Sequence, residues 1–416
     1  MTASMPSPAS IVYDPRDPVI RADPFPVYAR LRDEDPVHWS PAIKSWVITR
    51  YDDVRQVKLD SDMSSDRLTP FFRKLPEAQR SVLAEVMRYL NLWLVFRAPP
   101  EHTRLRRLLA TAFTPKAING LRPNIEAIVA ERLDRLDGRK RIDLIAEFAM
   151  QVPALVIMDM LGVPRDRLAE LKAWSDQMVL FIGSARGVPD KYEQARDGVH
   201  KMSAFFRQLI AERRADPRDD FISTLIAARD ETRDDDEAGL SEDELIACCM
   251  LILFGGHETT TNLIGNSALM LMRHPGERDK LRRSPELVGK AVEEFLRYDG
   301  PSNSSARVVA RTHAMHGVEM REGDRVFVML NAANRDPRQF ERPEVFDIER
   351  SPNRHITFGF GSHFCLGAAL ARLEGQIAIN ALIERFPNMR TVDDDPPEWL
   401  DALIMRGMRR LPVELV

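Results

Sequence analysis

Three cysteines could do chemistry in this chain, and their surroundings differ. Cys248 and Cys249 are adjacent within the apolar run LIACCMLILF, and with Cys365 they form no CxxC or zinc-ligand spacing. A disulfide framework and a zinc site are therefore both weakly supported. Cys365 lies in the string Phe358-Gly359-Phe360-Gly361-Ser362-His363-Phe364-Cys365-Leu366-Gly367, followed at once by the helical pattern AALARLEGQIAINALIERF. A thiol at a helix start meets backbone N–H groups and the positive end of the dipole, which favour the thiolate that binds metals. Glycines at 359, 361 and 367 permit a tight loop whose backbone can approach a bulky planar group. Phe358 and Phe364 are placed to shield the sulfur. The bland alternative, a structural cysteine beside a glycine turn, does not account for so dense a string.

A second reactive constellation is Gly255-Gly256-His257-Glu258-Thr259-Thr260. It falls in the middle of the best-supported helix. Ser241 and Glu244 form a capping box, an apolar stretch follows, and Pro275 lies just past Met272. About 30 residues give a helix of roughly 45 Å, enough to cross a domain. A membrane span competes, because Leu245 to Phe254 is wholly apolar, but the polar groups near the middle argue against it. Paired glycines inside a helix cost about 1 kcal/mol each relative to alanine. Close helix packing would explain them alone. With polar residues beside them, where the helix is most buried, they point to a functional cavity.

These residues need elements to position them. VHWS and SWVITR read as two short strands among helical segments such as PFPVYARLRDED and YDDVRQVKLD, and a second β-like patch runs from Arg307 to about Leu330. Elsewhere Leu, Ala, Arg and Glu recur at helical spacing. The fold class is mainly α with a small β component. No linker or repeat breaks the chain, so one unit over 1–416 is expected, with 1–20 an irregular N-terminal segment.

The cysteine string resembles the haem-binding loop of the cytochrome P450 family, Phe-Gly/Ser-x-Gly-x-His/Arg-x-Cys-x-Gly/Ala. The resemblance implies haem b with Cys365 as axial ligand to its iron, where thiolate donation favours O–O cleavage. Phe358, Gly359, Gly367 and, on the opposite side, Gly256 would lie against the cofactor. Gly255 to Thr260 resembles the family's Ala/Gly-Gly-x-Asp/Glu-Thr-Thr. By carry-over Thr259 would hydrogen-bond the oxygen being activated, and Glu258 would relay protons from solvent. Gly255 replaces the commoner alanine, and His257 falls at the variable position, where it is read as structural or solvent-linked. Glu294-Phe295-Leu296-Arg297 resembles the Glu-x-x-Arg motif, on a helix bounded by Ser284-Pro285 and Gly300-Pro301. It implies a buried structural pair completed by a later arginine, for which Arg350 is the candidate.

Pro99 to Arg107 resembles the family helix that clamps the haem carboxylates. His102 and Arg106 share a face, and Arg307 and His363 join them from distant segments. Arg104 and Arg107 point elsewhere and could serve a docking surface. Leu92 to Phe96, Met178 to Ile182, Leu251 to Phe254 and Ser302 to Ser305 correspond to substrate-facing stretches. They are apolar with a few hydroxyls, which favours an organic molecule with a hydrophobic body.

The implied activity is a monooxygenase that inserts one atom of O2 into such a substrate. Lys+Arg 59 against Asp+Glu 63 leaves a net charge of -4, which provides no global field for nucleic acid or anionic membrane. MTASMPSPAS lacks the features of a signal peptide, so a soluble, cytoplasmic protein without a membrane anchor is expected. No flavin or nicotinamide fingerprint is present. Electrons must come from separate proteins, and the family suggests a ferredoxin and an NAD(P)H-dependent ferredoxin reductase, steered by arginines such as Arg107 and Arg372. Rival readings are peroxide-driven oxidation, oxidative coupling or nitric oxide reduction on the same scaffold, and a non-catalytic haem-binding protein.

Overall fold

The computed structural model describes residues 11–182, 188–228 and 239–415. Helices dominate, with strands gathered in small sheets, as the sequence pattern predicts. The N-terminal stretch is not irregular throughout. Pro18–Ala22 forms a short helix because Asp17 caps it through the Val19 N–H and Pro18 suits the first turn. Residues 1–10 of the expected irregular segment lie outside the described residues.

The largest sheet runs, in spatial order, Val37–Ser40, Ser45–Ile48, Arg325–Met329, Ser304–Val309 and Met63–Ser64. Its second β patch starts earlier than expected. Ser304 and Ser305 pair with Met329 and Val328, although serines carry little strand preference of their own. Cross-strand pairing overrides local composition there. Alternation along this strand puts Ser305 and Arg307 on one face.

Two packed regions frame the site. One large core is built from the helices and includes much of the central helix, Glu242–Arg273, whose Ser241/Glu244 capping box forms as expected. A second core joins the sheet to the helix Tyr51–Leu59 through Val54 and Val57. The cysteine loop spans both: Phe358 and Leu366 pack against the helical core, and Phe360 against the other. Among the described residues no helix is long and apolar enough to cross a membrane.

The Glu294 helix, Val288–Asp299, anchors this arrangement. Glu294 and Arg297 are both fully buried and meet in a two-pronged contact, 2.7 Å at each prong. Arg297 also donates to the carbonyls of Asn334, Pro343 and Val345. Glu294 accepts further hydrogen bonds from the Asp347 N–H, Asn353 Nδ2 and Arg350 Nε. Arg350 itself holds the carbonyls of Glu341, Arg342 and Val345. This network ties the helix to the segment leading into the cysteine loop.

Candidate active site

Residues from the predicted segments converge on one cavity of about 380 Å³. The cysteine loop contributes Phe358, Gly359, His363, Phe364, Cys365 and Gly367, the central helix contributes Gly255, Gly256, Thr259 and Thr260, and His102, Arg106 and Arg307 line it as well. Gly359 and Gly361 take positive φ (79° and 72°), the left-handed conformation in which a side chain is strained. Gly367 does not, at φ -85°, but a Cβ there would meet open space.

Cys365 presents accessible surface to this cavity and closes the loop by donating its N–H to the Phe358 carbonyl at 2.8 Å. Its thiol differs from the sequence expectation. The helix begins only at Ala368, so helix-end stabilisation is weaker than the adjacency of motif and helix suggested. Burial pushes the thiol pKa up, and the Gly367 N–H, Arg106 and Arg372 pull it back only in part. A metal bound at the sulfur would supply the remaining drive to the thiolate. Shielding also falls differently on the two phenylalanines. Phe358 is half-buried under the Arg372 guanidinium, 4.5 Å from its ring centre, whereas Phe364 is 40% exposed.

On the central helix the two glycines separate into two roles. A Cβ at 256 would collide with the Ile157 side chain, so that glycine allows close packing on the helix Gln151–Leu161. At 255 nothing lies within 4 Å of such an atom. Thr259 lines the cavity and donates its hydroxyl to the Gly255 carbonyl at 2.8 Å. Glu258 is not part of the cavity wall. Its carboxylate turns to Lys172 (3.2 Å), which also pairs with the exposed Asp176, and to His257 Nε2 (3.1 Å). Burial alone would raise the Glu258 pKa, but His257 and Lys172 outweigh it and hold it at about 2. His257 is buried, with Nδ1 on the Leu253 carbonyl at 2.6 Å, in keeping with a structural role.

The basic groups form the cavity's edge. His102 is 1% exposed, and neither ring nitrogen has a hydrogen-bond partner. Its ring lies 4.2 Å from that of His363. Arg106 donates to the Phe364 carbonyl, and Arg307 to the Ala306 carbonyl. Burial lowers Arg307 to about 10, and it lowers His363, aided by His102, Arg307, Lys58 and Arg106, to about 3. Buried donors without acceptors beside crowded cations are costly in isolation. An anionic group with two carboxylates relieves both conditions, and a metal centre suits the thiol, so haem fits the residues present.

Several expectations on surrounding residues change. Arg104 is paired with Glu244 and largely buried, so it is no docking residue. Arg372 is half-buried and its guanidinium is committed to Glu293, at 2.6 and 2.9 Å. Of the stretches expected to face substrate, Leu94, Val95, Leu251, Ile252, Ser302, Ser304 and Ser305 line the cavity. Met178, Leu180, Phe181 and Ile182 do not; Phe181 packs with Phe71 and Tyr192 instead. Two charged lining residues had no sequence signal. Lys58 enters from the helix Tyr51–Leu59, and Glu374, 1% exposed, has both carboxyl oxygens without a partner, so burial drives its pKa well upward.

The family model for cytochrome P450 matches residues 43–409. The polyketide biosynthesis cytochrome P450 PksS of Bacillus subtilis is 36% identical over 97% of this chain and 99% of its own. The 6-deoxyerythronolide B hydroxylase of Saccharopolyspora erythraea is 34% identical, covering 96% of this chain and 98% of its own. Among solved structures, P450BioI in complex with an acyl carrier protein ligated to hexadec-9Z-enoic acid superposes with a TM-score of 0.87 at 36% identity, covering 96% of this chain and 99% of that one. With its cysteine loop, distal helix and basic edge on one cavity, the chain belongs to the cytochrome P450 family, as a haem-dependent monooxygenase acting on hydrophobic substrates.

Proposed function

We propose that Cys365 is the proximal ligand of haem b and that Thr259 and Glu258 serve the oxygen side of the same cavity. The single observation that carries this is that Cys365 and Thr259 line one cavity whose lining is mainly apolar. Bound haem supplies the reductive activation of dioxygen and the transfer of one oxygen atom to the substrate.

The protein's own groups do the rest. Cys365 holds the cofactor through its sulfur. His102, Arg106, Arg307 and His363 would hold the carboxylates, while Phe358, Gly359, Gly367 and Gly256 would lie against the cofactor. Leu94, Leu251, Ile252 and Leu296 exclude water and receive the substrate's hydrophobic body. Thr259 keeps its proton on the Gly255 carbonyl and presents it to the cavity by rotating about χ1. Glu258, ionised at neutral pH, accepts and returns protons on the outer side of the helix through Lys172 and Asp176. Glu294, Arg297 and Arg350 hold the scaffold and do no chemistry.

The chain is one haem-binding unit working in the cytoplasm, with electrons from a ferredoxin and its NAD(P)H-dependent reductase. Arg107, exposed in the last turn of the helix Glu101–Ala110, is the arginine offered to that electron donor. The test is reconstitution. A compound that shifts the haem from low to high spin is incubated with the purified protein, ferredoxin, reductase, NADPH and O2. Oxygenated product in step with NADPH use is expected. Product with hydrogen peroxide, and none with the redox proteins, would favour the peroxide-driven chemistry instead.

A further inference from the structure

The basic edge of the cavity contains one cation more than the motifs account for. The helix Tyr51–Leu59 buries Val54 and Val57 in the sheet-side core, which carries the neighbouring Lys58 to the cavity wall. Its ammonium donates to the Ser305 hydroxyl at 3.2 Å, and Arg307 Nη1 approaches the same oxygen at 3.4 Å. A Cβ on Gly359 would lie 3.7 Å from Lys58 Nζ, so the ammonium rests against the cysteine loop. Among the described residues no carboxylate pairs with it, and Arg307 is the charged neighbour that acts on it.

We infer that Lys58 is a third cationic ligand for the haem carboxylates, joining Arg106 and Arg307 from a helix outside the family motifs. This rests on the haem reading above. Burial and Arg307 bring the Lys58 pKa down to about 7, a sign of an ammonium lacking its anion. The carboxylates belong where this ammonium sits, because its neighbours Ser305, Arg307 and Gly359 mark the edge shared with His363. A substrate carboxylate is a poorer match, since the wall around Leu94, Leu251 and Ile252 is apolar. With Lys58 charged, the cofactor's edge gains a positive charge, which favours the reduced iron and so raises its potential.

The experiment compares wild type with Lys58→Met, which keeps an unbranched apolar stem and loses the charge, and Lys58→Arg, which keeps charge. Two readings are taken on the haem-loaded proteins: the reduction potential by spectroelectrochemical titration, and the rate of haem transfer to apomyoglobin. Lys58→Met is expected to lower the potential and to speed haem transfer about tenfold or more, the size of one lost charge-assisted hydrogen bond. Lys58→Arg is expected to restore both readings towards wild type. The inference is overturned if both readings stay at wild-type values in Lys58→Met. It is overturned equally if that variant instead loses binding of dodecanoate while still binding its methyl ester, which would assign the ammonium to a substrate carboxylate. A thiolate-type carbon monoxide spectrum in the wild type keeps the haem reading intact whichever way Lys58 falls.

Discussion

Arg297→Ala is expected to yield little folded, haem-loaded protein. The guanidinium donates to two carboxylate oxygens of Glu294 and to three carbonyls in the segment before the cysteine loop. Its removal leaves the Glu294 charge buried, with Arg350 at 3.2 Å as the remaining ionic partner. Removing one member of such a buried pair typically costs about 3–5 kcal/mol, a large part of the roughly 5–15 kcal/mol that stabilises a domain. Arg297→Lys should recover little, because an ammonium cannot reproduce the planar fork. Arg350→Ala should cost less, since its contact with Glu294 is longer and Arg297 remains. Urea unfolding and the haem-to-protein ratio of purified variants check the order. An Arg297→Ala protein with wild-type stability and haem content would contradict the anchoring role.

Thr259→Ala is expected to separate electron consumption from product formation. The central helix offers this hydroxyl to the cavity beside that of Thr260, and positioned proton donors contribute about 10²–10⁴-fold to such steps. Product per NADPH should therefore fall by about tenfold or more, with hydrogen peroxide appearing in its place. Folding should change little, because the lost hydrogen bond to the Gly255 carbonyl is worth only about 1 kcal/mol. Thr259→Ser, which keeps the hydroxyl, should retain coupling. Glu258→Gln should lower turnover as well. With its folded pKa at about 2, below the ordinary carboxylate value, Glu258 stays ionised above pH 5. Its ion pair thus stabilises the fold above the ordinary carboxylate pKa, and this contribution disappears as pH falls through about 2. Unchanged coupling in Thr259→Ala would remove Thr259 from the oxygen side.

What the sequence made legible was local. The capping box at Ser241 sets the start of the central helix, and the glycine-rich string around Cys365 fixes a loop that needs positive φ at Gly359 and Gly361. Even Arg350, far from Glu294 in the chain, was legible through the resemblance. What escaped depends on partners set only by the fold. Arg104 looked free because Glu244 is 140 residues away, and Arg372 looked exposed because Glu293 comes from another helix. Lys58 belongs to no motif, and it is the packing of Val54 and Val57 that sets it against the cavity. Glu374 sits in a helical pattern that gives no sign of an unpartnered carboxyl against the cavity. The position of Cys365 before a helix suggests an activated thiol, whereas burial dominates it and pushes its pKa up.

The central claim is that the Cys365 sulfur holds the haem iron. The most direct test is the absorption spectrum of the dithionite-reduced, carbon monoxide-bound protein, recorded for wild type and Cys365→Ser at equal haem content. Wild type is predicted to show the red-shifted Soret band of a thiolate-ligated ferrous haem, and Cys365→Ser to lose it while the haem remains in the cavity. A wild-type spectrum without that band, or an undiminished band in Cys365→Ser, would contradict the account.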